Sequence, residues 1–209
     1  MKNRLLVIIT LFGFYVLGYA QTVIPKDASL ELRQKIVEKT KTTTSISSDF
    51  VQVKHIDFLS NDIKSHGNLY YKAPDVIKLV YTNPFNYSAL FKDNKLYVND
   101  GGKKNVIDLS TNSTFKSINN LVVSCVNGDM FDDEKFNISY FETHNYYQIH
   151  FNPKSTSLKT YINEFILNFN KETLEITSIK MLEESGDYTL LKIIHQKLNE
   201  AIPDTIFIN

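Results

Sequence analysis

Residues 50–59 read Phe-Val-Gln-Val-Lys-His-Ile-Asp-Phe-Leu, and this stretch decides the fold class. Its side chains fall into two alternating sets: Phe50, Gln52, Lys54, Ile56 and Phe58 in one, and Val51, Val53, His55, Asp57 and Leu59 in the other. A period of two is typical of a β-strand, in which successive side chains point to opposite faces of a sheet. The stretch therefore predicts a strand.

The residues before this strand predict an amphipathic helix over 27–44. Asp27 follows Pro25 and is a suitable N-cap for the helix. The apolar stripe recurs with helical spacing at Ala28, Leu32, Ile36 and Val37. The charged side chains on the other side are mostly Arg33, Lys35, Glu38 and Lys39. We therefore expect one face of this helix to pack and the other to meet water.

After residue 59 the chain continues as strands separated by short turns. Turn sequences recur at Ser60-Asn61-Asp62, Asn83-Pro84, Asp93-Asn94, Asp100-Gly101-Gly102, Thr143-His144-Asn145, Asn170-Lys171-Glu172 and Ser185-Gly186-Asp187. Most of these turns offer Asp, Asn or Gly, which tolerate the positive φ angles of hairpins. Runs rich in Tyr, Phe, Ile and Val lie between the turns and favour a meandering antiparallel sheet.

A second helix is predicted over residues 113–126, where the strand pattern is interrupted. Its apolar side chains recur at helical spacing at Phe115, Ile118, Leu121, Val122 and Cys125. Gly128 stands just beyond its end, in a position where glycine commonly terminates a helix. The alternative is a strand over residues 122–126.

The N-terminus has the pattern of an export signal. Lys2 and Arg4 precede an apolar run that ends in the small residues Gly18 and Ala20. This predicts a signal peptide over residues 1–20, cleaved in a periplasmic protein. A transmembrane anchor is the competing interpretation, but glycines interrupt the run and no charged stop-transfer flank follows it.

The remaining residues, 21–209, are enough for one domain with a substantial core. Lysine plus arginine number 23 and aspartate plus glutamate also number 23, so no global field recruits nucleic acid or an anionic membrane. The single cysteine, Cys125, excludes an internal disulfide framework and a multi-cysteine metal site, and we expect it to be buried. We expect no metal or other cofactor, because the five histidines lack ligand spacing.

Together these elements predict an α+β fold dominated by an antiparallel sheet. A strongly curved sheet of about ten strands must cover its apolar face with a second sheet, by closure on itself or with helices. Two short helices would not fill a wide concave face, which favours an apolar cavity. A filled α+β sandwich has the same sequence pattern and stays open as the alternative.

Residues 47–100 carry a more specific pattern. The chain reads S-S-D-F-V-Q over 47–52, G-N-L-Y-Y-K-A-P-D-V-I-K-L-V-Y-T-N-P over 67–84 and L-F-K-D-N-K-L-Y-V-N-D over 90–100. In order and spacing it resembles the LolA lipoprotein-carrier family, with its Phe-x-Gln strand, its Gly-x-Leu-aromatic-x-Lys-x-Pro segment and a second proline ten residues on. The likeness is looser beyond residue 100 but extends over nearly all of residues 21–209.

The resemblance implies an incomplete, half-open β-barrel of about ten to eleven strands, with helices covering the concave face as a lid. It implies a non-enzymatic carrier that binds the acyl chains of lipoproteins in a hydrophobic cavity and shuttles them from the inner to the outer membrane. The implied partners are the lipidated cargo, an inner-membrane transporter and an outer-membrane acceptor, and we expect a monomer. The alternative is a carrier of another amphiphile, such as a polyketide or a glycolipid, on the same fold.

The resemblance and the strand alternation together predict the cavity lining. The predicted lining residues are Phe50, Leu69, Tyr71, Leu79, Tyr81, Phe165, Leu167 and Phe169, with Leu121 and Val122 on the underside of the lid. The alternative is that these side chains pack a closed core, and a register slip of one residue would invert the whole set.

The segment around Pro74 departs from the family pattern at one position. Many family members carry an arginine just before this proline that helps to hold the lid shut, and this chain has Ala73. Lys72 is adjacent, but on a strand it should point to the opposite face. The resemblance also implies that Ile77, in an exposed apolar loop after the proline, docks on the transporter.

Two other classes of function stay open. A periplasmic hydrolase acting on lipids would bring a serine or aspartate within hydrogen-bond reach of a histidine in the pocket. A binding or assembly module would have a filled sandwich core and no cavity.

Overall fold

Helix α1 spans Lys26–Lys41 in the computed structural model, which describes residues 21–111, 123–125 and 128–209. Pro25, rather than the predicted Asp27, occupies the N-cap position, and no side chain caps the helix. Asp27 lies in the first turn instead, where its charge still matches the positive end of the helix dipole. The buried stripe consists of Ser29, Leu32 and Ile36, whereas the predicted member Ala28 is exposed.

The strands of the described residues form a single antiparallel sheet of twelve strands. Their bounds are β1 Thr22–Val23, β2 Ser45–His55, β3 Ile63–Lys72, β4 Val76–Asn83, β5 Tyr87–Lys92, β6 Lys95–Asp100, β7 Lys103–Asp108, β8 Phe136–Glu142, β9 Tyr146–Pro153, β10 Glu164–Asn170, β11 Ile176–Leu182 and β12 Tyr188–Leu198. Short helical turns lie at Leu109–Thr111, Thr156–Lys159 and Asp204–Phe207.

The strand order is β1-β8-β9-β10-β11-β12-β2-β3-β4-β5-β6-β7, so β1 and β7 are edges and the barrel is not closed. Two meanders, β2 to β7 and β8 to β12, join where β12 pairs with β2 and Ile193 faces Phe50. The prediction of ten to eleven strands agrees with the eleven longer strands, β2 to β12. The two-residue β1 adds a twelfth strand at the edge.

The apolar side chains of the inner face, the face that carries α1, form two clusters. The first, the α1 core, joins helix residues Leu32 and Ile36 to buried side chains of β8 to β12. The second, the β2–β4 cluster, consists of Ile46, Phe50, Leu69, Tyr71 and Ile77. Helix α1 therefore covers one half of the inner face, and the other half lies beyond it.

The C-terminal segment covers part of the outer face of the sheet. Lys78, which alternates with the inward Ile77, donates hydrogen bonds from Nζ to the carbonyl oxygens of Ile206 (2.8 Å) and Ile208 (2.7 Å). Phe207 between them is buried, as is Leu90, the residue opposite Lys78 on β5. These bonds attach the end of the chain to β4.

The described part of the second predicted helix, residues 123–125, is helical. The Gly128 N–H donates to the Ser124 carbonyl oxygen at 3.1 Å, and Gly128 has φ +84°. Glycine thus ends this helix in a left-handed conformation, as the sequence predicts. Residues 112–122 and 126–127, which include the predicted lid residues Leu121 and Val122, lie outside the described residues, as does the predicted signal peptide over 1–20.

We expect Gly128→Ala to destabilise the protein by about 2 kcal/mol. A Cβ at this position would lie 2.3 Å from Thr40 Oγ1 on α1, and an alanine would also be strained at a positive φ. Chemical denaturation of Gly128→Ala, Thr40→Ala and the double variant measures both contributions. Removing the Thr40 hydroxyl should recover about 1 kcal/mol in the double variant, and strict additivity would show that the helix contact contributes nothing.

Candidate functional site

The strand register places the predicted lining residues of β2 to β4 on the inner face. Leu69 pairs with Leu79, and Gly67 pairs with both Phe50 and Tyr81. Phe50 and Leu69 are buried within the β2–β4 cluster, whereas Leu79 and Tyr81 pack at its border and stay partly exposed. This part of the predicted lining therefore forms one continuous apolar surface.

The predicted lining residues of β10 have different surroundings. Phe165, Leu167 and Phe169 belong to the α1 core and are at most 3% exposed. Leu167 pairs with Ile149 and Ile179, so the chain's own side chains surround this part of the face. A role for these three residues in ligand binding stays a prediction, and it would require α1 to move.

Ile77 does not lie at an exposed loop tip, and that part of the prediction is wrong. It is the second residue of β4, pairs with Tyr71 and Phe91, and is only 3% exposed. The strand begins at Val76 because inward Ile77 and Leu79 alternate with outward Lys78, which the apolar loop interpretation did not consider. The docking role itself stays a prediction.

Gly67 explains why the β2–β4 cluster packs closely. A Cβ on Gly67 would lie 2.8 Å from the Phe50 ring and 2.0 Å from the Val80 carbonyl oxygen. The absence of a side chain lets the Phe50 ring lie directly against β3, next to an irregularity in the β3–β4 register. Phe50 then meets Tyr81 edge to face, with ring centroids 5.0 Å apart.

The hydroxyl groups of Tyr71 and Tyr81 both donate hydrogen bonds to protein atoms. The Tyr81 hydroxyl donates to Gln52 Oε1 at 2.8 Å, and burial raises the pKa of Tyr81 to about 12. The Tyr71 hydroxyl donates to the Pro74 carbonyl oxygen at 3.3 Å, and burial raises its pKa as well. Both rings therefore present neutral, largely apolar surfaces.

Gln52 belongs to the Phe-x-Gln motif but was not among the predicted lining residues. The period of two already placed it on the same face as Phe50, and a glutamine on an apolar face needs a hydrogen-bond partner. Tyr87 was also missed, although it lies 5.5 Å from Tyr81 between ring centroids. The strand alternation that identified Tyr81 also places Gln52 and Tyr87 on the inner face.

A pocket of about 350 Å³ opens at the end of this surface where β4 ends and β5 begins. Its lining residues are Ser65, Tyr81, Asn83, Pro84, Phe85, Tyr87 and Asp100. Phe85 is 72% exposed and presents an apolar ring to solvent at the rim, beside the exposed polar residues Asn83 and Asp100. The pocket adjoins the β2–β4 cluster through Tyr81, which packs against the cluster and lines the pocket.

Lys72 points to the outer face, as the strand alternation predicts. Its Nζ lies 2.5 Å from Asp204 Oδ1 in the C-terminal segment, so it cannot replace an inward arginine at Ala73. The ion pair holds the pKa of the Asp204 carboxyl below its usual range. The cover of the inner face must be held by other residues.

Three of the five histidines pair with carboxylates, all on the outer face or at its turns. His55 pairs with Asp62, and the two further pairs are His150 with Glu164 and His195 with Asp49. The pocket lining given above contains Ser65 and Asp100 without a histidine among the described residues. Burial raises the pKa of the Cys125 thiol, which suits a packing role rather than a nucleophile.

The described residues give two further negative findings. In this part of the chain, no helix combines the length and the apolar character that crossing a membrane requires. Nor do the described residues bring three or more His, Cys, Asp or Glu side chains together as metal ligands.

A family comparison identifies the chain from its sequence. The model described as outer membrane lipoprotein carrier protein LolA matches residues 41–208. The chain belongs to the LolA family. A comparison with curated proteins finds no match.

Several solved structures share the fold of this chain. An uncharacterised conserved protein from Thermus thermophilus is 8% identical, with a TM-score of 0.53 over 87% of this chain and 94% of that one. The Mycobacterium tuberculosis lipoprotein LppX is 13% identical, with a TM-score of 0.50 over 86% and 99%. In the Pseudomonas aeruginosa MucA/MucB complex, the matching chain is 11% identical, with a TM-score of 0.52 over 88% and 61%.

At these identities the likeness concerns the fold alone, and it confirms the predicted LolA-type architecture. An open antiparallel barrel carries helix α1 on its inner face. The LolA fold thus brings Phe50, Leu69, Tyr71, Leu79 and Tyr81 together and separates them from the three lining residues predicted on β10.

Proposed function

We propose that this protein is a periplasmic carrier that binds the acyl chains of lipoproteins and shuttles them from the inner to the outer membrane. One observation carries the proposal: the apolar inner face extends beyond α1, through Leu79 and Tyr81, into a 350 Å³ pocket with the exposed Phe85 ring at its rim. Family membership supports the same assignment.

A lipoprotein needs a carrier because exposing its acyl chains to water costs a large free energy. Each acyl methylene left in water costs about 0.8 kcal/mol, so a sixteen-carbon chain costs roughly 12 kcal/mol. A carrier must offset most of this free energy and still release its cargo, so its surface must be apolar but must not bind too tightly. Partly exposed side chains such as Leu79 and Tyr81 meet both requirements.

The hydrogen bonds of Tyr71 and Tyr81 also support the proposal. Both hydroxyl groups already have protein acceptors, so a hydrocarbon chain against these rings leaves no buried donor unsatisfied. The site therefore suits a ligand recognised by its apolar length.

The partners are part of the proposal. An inner-membrane transporter supplies the cargo to this exported protein, and an outer-membrane acceptor receives it from the monomeric carrier. We place the transporter contact at residues 73–75 in the β3–β4 turn, which are exposed, rather than at buried Ile77.

Native mass spectrometry of the protein purified from its own periplasm tests the nature of the cargo. Recovery of diacylated or triacylated lipoprotein supports lipoprotein carriage. Recovery of a non-proteinaceous polyketide or glycolipid alone contradicts it and favours the alternative carrier on the same fold. A protein that never retains any acyl compound, even when a fluorescent fatty acid is supplied, contradicts both.

We expect Leu79→Glu to weaken binding of a fluorescent sixteen-carbon fatty acid at least tenfold, because a carboxylate in an apolar lining is desolvated by the bound chain. Val80→Glu is the matched control: it is the next residue of β4, equally partly buried, and points outward. Both variants should unfold within about 1 kcal/mol of each other. Equal loss of fatty-acid binding in the two variants would place the ligand elsewhere.

A further inference from the structure

Three aromatic rings line the pocket at the end of the β2–β4 cluster. Tyr81 and Tyr87 form two of its walls, with ring planes inclined at 65° to each other. The third ring, Phe85, stands largely exposed at the rim. Aromatic rings attract a positive charge placed over their electron-rich faces, and recognition of ammonium groups commonly uses several rings around one site. The three rings therefore favour a cationic occupant.

A carboxylate lies at the edge of the same pocket. Asp100 stands opposite Tyr87 in the pairing of β6 with β5, and it is exposed. The Gly101 N–H donates to the Asn86 carbonyl oxygen at 3.1 Å, so the turn after Asp100 is held beside the turn between β4 and β5. Lys103 stands opposite Asp100 on β7 but does not line the pocket. The carboxylate therefore has a fixed place beside the rings.

The other polar groups of the pocket are uncharged. Burial, and to a smaller extent the charge of Asp100, raises the pKa of the Tyr87 hydroxyl, so this group stays protonated at neutral pH. Burial keeps the Tyr81 hydroxyl protonated in the same way. Ser65 and Asn83 add neutral groups, and none of the described lining residues is Lys, Arg or His. A positively charged group is therefore favoured here, and a phosphate or carboxylate is disfavoured.

We propose that this pocket binds the ammonium group of an acyl compound, with the rings and the Asp100 carboxylate around the cation and the acyl chain along the β2–β4 cluster. The inference rests on the proposed carrier function, because the pocket adjoins the acyl-binding surface. It narrows the cargo to acyl compounds with a free primary amine. A diacylated lipoprotein with an unmodified N-terminal amine and an aminophospholipid both carry this group, whereas an N-acylated lipoprotein has an uncharged amide in its place.

The binding of two synthetic diacylated lipopeptides tests this site. The two share their acyl chains and peptide sequence, but one has a free α-amino group and the other is N-acetylated. We expect the wild-type protein to bind the free amine about tenfold more tightly, because ring contacts and a solvated ion pair together contribute at this level. Asp100→Asn should lower the preference to about threefold, since the ring contacts remain. Binding of the N-acetylated lipopeptide should not change.

Asp93→Asn is the matched control for the loss of one negative charge. Asp93 lies in the turn at the other end of β5 and does not line the pocket. We therefore expect this variant to keep the wild-type preference. An equal loss of preference in Asp93→Asn and Asp100→Asn would refute the site, because the effect would then come from the overall charge.

Two further comparisons separate the ammonium site from the carrier function. If the wild-type protein binds both lipopeptides equally well, the ammonium site is refuted and the carrier proposal stands. Titration with tetramethylammonium, followed by the ring signals of Tyr81 and Tyr87 in NMR spectra, tests the rings without an acyl chain. Shifted ring signals in a protein that binds neither lipopeptide support the ammonium site and contradict the carrier proposal. Absence of both effects contradicts both proposals.

Phosphatidylethanolamine and its N-acetylated form distinguish the source of the amine in the same assay. A preference for the free amine among the lipopeptides supports a diacylated lipoprotein as cargo. A preference for the free amine that occurs only with the phospholipid pair supports the ammonium site but contradicts lipoprotein carriage.

Discussion

Phe165→Glu is expected to destabilise the protein by about 5 kcal/mol, enough to unfold it, instead of emptying a pocket in a folded protein. Phe165 is 3% exposed in the α1 core, between Phe151 on β9 and Met181 on β11. A carboxylate there would lose its hydration without gaining a charged partner or a hydrogen-bond donor from these apolar neighbours. Denaturant unfolding followed by circular dichroism measures the loss.

The matched control is Ile166→Glu, the next residue of β10. Its side chain points to the outer face, opposite His150 and Lys180, and is partly exposed. We expect a change within about 1 kcal/mol for this variant. If Phe165→Glu instead folds with the wild-type midpoint and loses only fatty-acid binding, then Phe165 lines the ligand site as the sequence predicted.

Gly67→Ala is expected to destabilise the protein by about 3 kcal/mol, at the upper end for overpacking. The added Cβ would lie 2.0 Å from the Val80 carbonyl oxygen, which belongs to β4 and cannot turn away as a side chain can. The variant must therefore separate β3 from β4 or displace the Phe50 ring, which lies 2.8 Å from the same Cβ. Thermal and denaturant unfolding measure the effect.

A further variant identifies the cause of this loss. Phe50→Leu relieves the ring contact but not the carbonyl contact, so it should not rescue Gly67→Ala. Full rescue by Phe50→Leu would show that the ring, and not the neighbouring strand, sets the limit.

Much of the candidate site could be predicted from local sequence. The family resemblance and the strand alternation together placed Leu69, Tyr71, Leu79 and Tyr81 on the same face as Phe50, and the strand register bears this out. The burial of individual residues was harder to predict from the sequence. Ile77 was assigned to an exposed loop because the residues after Pro74 match a family region that docks on the transporter, but a strand begins at Val76 and buries Ile77.

The sequence by itself determined the helix α1 and the meandering strands with their inward sets, because periodicity and turn chemistry are local properties. The order and spacing of the motifs over residues 47–100 indicated the LolA family. Only the tertiary structure decided which half of the inner face α1 covers. That choice depends on contacts between residues distant in the chain, such as Arg33 with Phe131 and Ile36 with the β8 to β12 strands. Most of the predicted lining residues become packed core in one of the two clusters, and Tyr81 alone also lines the pocket, since burial follows from the neighbours across the face rather than from the residue itself.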